Sequence, residues 1–176
     1  MKKWIITTVL LICICAGVVA YAIIAPDFNI SEKAKQTTSN SIASSDKESA
    51  NYIDENKLIH LNDEYTIQIK ELQYGTKDDK KIAMFVMEYT NNTSEYDSYG
   101  MSILCKAYQS DRELKSTIII DDNYPNEIMT EVRNGESTQI VQCYELENFN
   151  DNVYLHFRKG WGQSDSESVE IYYTLK

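Results

Sequence analysis

KIAMFVMEYT, residues 81–90, decides the fold. Side chains alternate across a β-strand, so the unbroken apolar run from Ile82 to Met87 loads both faces whichever parity is chosen. Such a strand is covered on two sides, as in the middle of a sandwich. The next ten residues, NNTSEYDSYG (91–100), are polar or aromatic and end on Gly100. Their Asn, Thr and Ser side chains suit a loop, where they satisfy backbone groups that have left the sheet.

Period-two segments flank this strand on both sides. YTIQIKEL (65–72) puts Ile67 and Ile69 on one face. SILCKAYQ (102–109) does the same with Ile103, Cys105 and Ala107. STQIVQCYEL (137–146) aligns Ile140, Tyr144 and Leu146, with Gln142 breaking the pattern. NVYLHFRK (152–159) aligns Val153, Leu155 and Phe157, and SVEIYYTL (168–175) aligns Val169, Ile171 and Tyr173. KLIHL (57–61), ELKSTIII (113–120) and EIMTEV (127–132) are shorter candidates. Turn-forming clusters separate these runs, Asn134-Gly135 being the strongest tight-turn signal. About eight short strands with no convincing helix imply an all-β antiparallel sandwich over residues 56–176.

The N-terminus has another character. Residues 4–25 carry no charge, and Lys2 and Lys3 precede them. As a helix this run spans roughly 33 Å, enough for a bilayer core. The flanking lysines favour a cytoplasmic start and an exported remainder. Ala20-Tyr21-Ala22 also fits a signal-peptide cleavage site after Ala22, although the apolar run exceeds the usual length. The length favours a signal anchor. A lipoprotein site fits poorly, because Cys13 and Cys15 both follow isoleucine. Residues 1–25 are therefore read as a signal anchor or signal peptide. Residues 26–55, rich in Ser, Thr, Lys and Asn, bury too little to offset ordering and read as a flexible linker.

The formal charge is −10, from 27 acids and 17 bases. That excludes a basic nucleic-acid-binding face and adsorption to anionic lipid. Most of the acidity belongs to the last 121 residues.

With the strands in place, several motifs fall into a familiar order. They are Glu88-Tyr89-Thr90-Asn91, the hairpin Tyr108-Gln109-Ser110-Asp111-Arg112-Glu113-Leu114, and Asn134-Gly135 ahead of Tyr144-Glu145-Leu146. The chain from about Asn56 to Leu175 resembles a family of uncharacterised extracellular domains in secreted proteins and lipoproteins of Gram-positive bacteria. Its hairpin has the form Tyr-Gln-Asn-Gly-x-x-Leu. The resemblance implies an immunoglobulin-like sandwich and carries over no catalytic residue. Ser110-Asp111 stands in place of Asn-Gly, so a longer or type I-based turn is expected there.

Chemistry is sparse in the exported part. His60 and His156 lie in strands, and no local signature of a nucleophile–histidine site accompanies them. Cys105 and Cys143 are 38 positions apart on two strands, and an oxidising compartment allows them to pair. Two buried thiols are the alternative, since Cys143 lies on the face opposite Ile140 and Tyr144. The acidic stretches at 121–123 and 147–152 lack calcium-loop spacing and read as solvated turns. No metal or cofactor is implied. Tyr96, Tyr99 and Trp161 fall in loops, where exposed aromatics serve recognition. The reading is a membrane-anchored or secreted surface module, non-catalytic, with an unknown protein or cell-wall ligand as partner. An envelope enzyme or inhibitor, or an immunity or exclusion factor against a foreign protein, are the alternatives.

Overall fold

The computed structural model of the protein describes residues 29–33, 51–119 and 123–175. The apolar run 4–25 and the cleavage position after Ala22 lie outside them. Among the described residues no helix is long and apolar enough to cross a membrane.

The regular structure of the described residues is almost all antiparallel strand. The strands are β1 Asn29–Lys33, β2 Tyr52–Ile53, β3 Ile59–Leu61, β4 Tyr65–Lys77, β5 Lys80–Asn91, β6 Ile103–Gln109, β7 Arg112–Glu113, β8 Ser116–Thr117, β9 Ser137–Glu145, β10 Val153–Lys159 and β11 Val169–Tyr173. One helical turn, α1 at Tyr99–Ser102, precedes β6, and a 3-10 turn occupies Asp165–Glu167. Two sheets result. The larger runs β2-β3-β4-β5-β9-β8, and the smaller β11-β10-β6-β7. Within the stretch read as linker, Asn29–Lys33 pairs with the Gln73–Thr76 half of β4, and Tyr52–Ile53 pairs with β3.

The core lies between the sheets. Ala83, Phe85, Met87 and Tyr89 of β5 face Leu155 and Phe157 of β10 and Ile171 and Tyr173 of β11 in one apolar cluster. Phe85 packs edge-on against Tyr144 and Tyr173. The opposite face of β5 is covered as well. Ile82 and Met84 join Val141, Cys143 and Ile119 in a second cluster, with Tyr124 against it. The cover comes from the long connection between β8 and β9, so the double-sided apolar strand has two burials of different origin.

Two candidate strands do not form as read. ELKSTIII splits: β7 pairs with β6 in the smaller sheet, and β8 pairs with β9 in the larger. Buried Leu114 marks the crossing between them. EIMTEV makes only an isolated bridge, Val132 to Asp97, because this segment caps the sandwich end instead of adding to an edge.

The turns correct another expectation. Ser110-Asp111 is a two-residue connection with both φ positive, at 49° and 62°. Asp78-Asp79 (49° and 61°) and Asn62-Asp63 (53° and 56°) repeat that geometry. All three are type I′-like, the hand that matches strand twist, built from Asx and Ser without glycine. At Asn134-Gly135 only Gly135 is left-handed, at φ 75°. Left-handed backbone strains any residue with a Cβ. Asp79→Gly and Asp111→Gly are therefore expected to stabilise by about 0.5 kcal/mol each, after glycine's extra unfolded-state entropy is deducted. A urea midpoint that falls in both variants would contradict this reading of the turns.

Candidate functional site

One end of the sandwich gathers the loops. There β4 begins beside the end of β5, with Tyr65 opposite Asn91, and β9 begins at Ser137 opposite Thr90. β10 ends there too, Lys159 opposite Ile103. The connections 92–102, 123–136 and 160–168 and the turn 62–64 therefore share this end.

Polar side chains fix these loops to one another. Asn91, fully buried, donates through Nδ2 to the carbonyls of Glu95 (2.7 Å) and Val132 (2.8 Å). Its Oδ1 accepts the Thr93 amide at 2.9 Å. Tyr65 donates its phenol proton to Asp97 at 2.6 Å. Gln163 ties three segments: its Oε1 accepts from Asn51 Nδ2 and the Lys159 amide, both at 3.0 Å, and its Nε2 donates to Asn62 at 3.1 Å. Lys159 Nζ lies 2.6 Å from Glu64 Oε2. Ser164 donates its amide and hydroxyl to Glu167, which holds that carboxyl below its ordinary range.

On this frame sit large apolar side chains that face solvent. Tyr96 is 59% exposed, Met101 57%, Met129 61% and Trp161 79%. They are neighbours through backbone contacts. The Gly100 amide donates to the Ile128 carbonyl at 2.7 Å, and the Gly160 amide to the Ser102 carbonyl at 2.7 Å. A Cβ on Gly100 would fall 2.5 Å from the Met129 sulfur and 3.0 Å from the Ile128 oxygen, so glycine lets the two segments close up. The Asp97–Val132 bridge brings Tyr96 beside Arg133, whose guanidinium lies 5.6 Å from the ring centroid. Single exposed apolar residues are ordinary; here four of them sit at one end on hydrogen-bonded loops.

Tyr99 departs from its expected place. It is 1% exposed, because α1 rotates it inward. Its ring meets Tyr89 edge-on and its hydroxyl donates to Gln142 at 3.1 Å. That explains Gln142, the residue that breaks the apolar alternation of β9. Gln142 Oε1 also lies 3.0 Å from the Tyr144 hydroxyl. The aromatics placed in loops by sequence thus divide: Tyr96 and Trp161 are displayed, and Tyr99 is core. Met101 and Met129 gave no sequence signal, since a lone surface methionine means nothing until the chain brings two together.

The pairing of Cys105 with Cys143 is not formed. Both are free thiols. Cys105 packs in the core between the sheets, near the Tyr144 hydroxyl, while Cys143 joins the cluster on the far face of β9. A sheet separates them. Burial pushes the Cys105 thiol up to about 12 and the Cys143 thiol to about 11. Burial likewise raises the phenols of Tyr65, to about 12, and of Tyr89, Tyr99, Tyr144 and Tyr173. The unfolded chain loses these protons near the ordinary thiol and phenol values, whereas the native core keeps them. The contribution of these thiols and phenols to stability is therefore level below about pH 9 and falls as pH rises beyond it. Thermal melts across that range check the onset; a melting temperature unchanged up to about pH 11 would contradict the burial of these groups.

The histidines lie apart. His60 contacts Asp54 at 3.3 Å and stacks on Tyr52, and His156 faces outward against Glu170 at 2.7 Å. No group of three His, Cys, Asp or Glu that could hold a metal occurs among the described residues. In the 147–152 loop, Asn148 Oδ1 accepts the amides of Asn150 and Asp151, and Asp151 accepts from Ser110. Those oxygens are already engaged by the turn itself.

Fold and surface together define an all-β, two-sheet domain with a displayed apolar cluster at one end. The chain belongs to the family described as Domain of unknown function (DUF5067), which matches residues 40–159. No curated protein matches it. A solved structure from Bacillus subtilis subsp. subtilis strain 168, titled "putative lipoprotein (ycdA)", is similar in fold. The TM-score is 0.50 at 16% identity, over 62% of this chain. The match spans only 36% of that protein, so it bears on the fold alone.

Proposed function

We propose that this protein is a non-catalytic recognition module of immunoglobulin-like topology, held at a bacterial surface. Strand order supports the topology. β4-β5-β9-β8 corresponds to the ABED sheet of that fold, and β11-β10-β6 to GFC, with β7 as an added strand beside C. On this correspondence 92–102, 123–136 and 160–168 become the BC, DE and FG loops, the end that serves recognition in variable domains.

The surface location rests on the apolar run 4–25 and its preceding lysines, and a lipoprotein of similar fold is in keeping with it. The path of β1 adds an orientation. Asn29 pairs with Thr76, beside the β4–β5 turn, about 35 Å along β4 from its loop end. An anchor at 4–25 then holds the domain by the far end and turns the loops away from the bilayer.

The observation that carries the reading is the exposed cluster of Tyr96, Met101, Met129 and Trp161 on loops that are hydrogen-bonded in place. A photo-crosslinking residue at position 161 should capture a discrete partner in expressing cells, and one at position 78 should not. Trp161→Ala should abolish that partner's retention while changing stability by less than about 0.5 kcal/mol, because the side chain is exposed. Equal crosslinking at 161 and 78 would remove the basis for a recognition end.

A further inference from the structure

The charge around the displayed cluster is one-sided, and this deepens the recognition reading on which it rests. Glu95 and Glu131 flank Tyr96 and Met129, Glu136 follows the Asn134-Gly135 turn, and Glu167 closes the Trp161 loop; all four are exposed. Among the described residues of these loops Arg133 is the one cation, and it lies over Tyr96. Lys159, at the base, is taken by Glu64. The opposite end mixes the signs: Lys80 and Lys115 meet Glu145, Arg112 meets Glu147, and five cations stand against seven acids in 77–81, 111–115 and 145–151. The acidity of the domain is thus concentrated where its aromatic and thioether groups are exposed.

We infer that the partner is a protein segment rich in lysine and arginine with apolar residues between them. Its cations would reach Glu95, Glu131, Glu136 and Glu167, while its aliphatic stems and apolar side chains cover Met101, Met129 and Trp161. Charge, ring chemistry and side-chain shape favour this occupant over a neutral or acidic one. Opposite potentials steer encounter and exclude like-charged partners. Trp161, between Gly160 and Gly162, offers an open ring face to a cation, the best aromatic for that contact. Arg133 over Tyr96 shows the same surface already seating a guanidinium on an aromatic ring beside carboxylates. Long basic side chains also bury their stems on apolar ground while the charged head stays wet. Methionine suits such a contact because its flexible thioether adapts to irregular shapes.

The test uses the full chain in detergent micelles and three fluorescent dodecapeptides that share Leu and Phe positions. Their remaining positions are Lys/Arg, Ser/Gln or Asp/Glu. Fluorescence anisotropy at low salt should show the basic peptide binding at least about tenfold more tightly than the other two. Added salt should weaken it, as expected for exposed charges. The Glu95, Glu131, Glu136 and Glu167→Gln variant should lose about tenfold, and Trp161→Ala a similar factor. Asp78→Asn with Asp79→Asn, at the other end, should lose none. Equal affinity for the neutral or acidic peptide, still dependent on Trp161, would overturn the basic partner and leave the recognition end standing. Binding of the basic peptide that ignores Trp161, or falls equally with Asp78 and Asp79, would overturn the proposal as non-specific charge attraction. Absence of binding by all three peptides would overturn both.

Discussion

Phe85→Ala is expected to cost about 3–5 kcal/mol, most of what holds a domain of this size together. Phe85 is fully buried on β5, the strand that pairs with both β4 and β9. Its ring reaches across the core to Tyr173, at 5.5 Å between centroids, and sideways to Tyr144 at 6.2 Å. Truncation removes these contacts and leaves a cavity between two sheets. Each sheet is held by its own ladder, so neither can settle into the gap. The neighbouring Met84 separates this account from a plain single-faced sheet. It points away from the inter-sheet core, yet it too is fully buried, against Val141, Cys143 and Ile119. Met84→Ala is therefore expected to cost about 2–3 kcal/mol, although its side chain contributes nothing to the contact between the sheets. Urea unfolding with an unchanged slope checks both. A Met84→Ala cost near zero would mean that the β8–β9 connection does not cover the sheet.

The same strand shows what the sequence made legible. An apolar run longer than one face requires two covers, and that much is local arithmetic on Ile82 to Met87. The identity of the second cover is not local. It depends on Ile119 and Tyr124 packing against β5, more than thirty positions downstream, and no periodicity records that. The cysteines behave similarly. The parity of Cys143, opposite to Ile140 and Tyr144, was readable from alternation. Whether its face was dry, and on which side of the sheet Cys105 lay, required the assembled sandwich. Tyr96 and Tyr99 could not be told apart because both occur in one polar stretch, and a single helical turn shifts one of them inward. Ser110-Asp111 departs from expectation for a different reason: glycine is the easiest residue at left-handed φ, but Asx and Ser tolerate it when the strands on either side dictate a two-residue connection. The exposed cluster was legible in its aromatics and not in its methionines or its charge. Those become a surface only when three separate connections converge at one end.

At the other end of the sandwich a single buried amide is expected to matter almost as much as the core. Gln109 is fully buried at the end of β6. Its Nε2 donates to the carbonyls of Asn148 (3.1 Å) and Asp151 (3.0 Å). Its Oε1 accepts the amides of Glu147 (2.9 Å) and Asn148 (3.2 Å). One side chain thus satisfies four backbone groups of the connection between β9 and β10 and sets where β10 enters the core. This supplies a physical reason for the Tyr-Gln pair ahead of the hairpin turn: Tyr108 lies on the outer face against His156, and Gln109 points in. Gln109→Leu keeps the volume and leaves those groups without partners, a loss of about 2–4 kcal/mol. Gln109→Glu distinguishes hydrogen bonding from volume. Its carboxylate still accepts the two amides but sets a negative oxygen against two carbonyls, so its folded pKa should lie above the unfolded value. The protonated acid restores a donor. The deficit relative to the natural protein should accordingly be smallest below about pH 4 and grow as pH rises through the folded pKa. Equal deficits for Gln109→Leu and Gln109→Glu at every pH would mean that Gln109 acts by filling space, and that the connection finds its path without it.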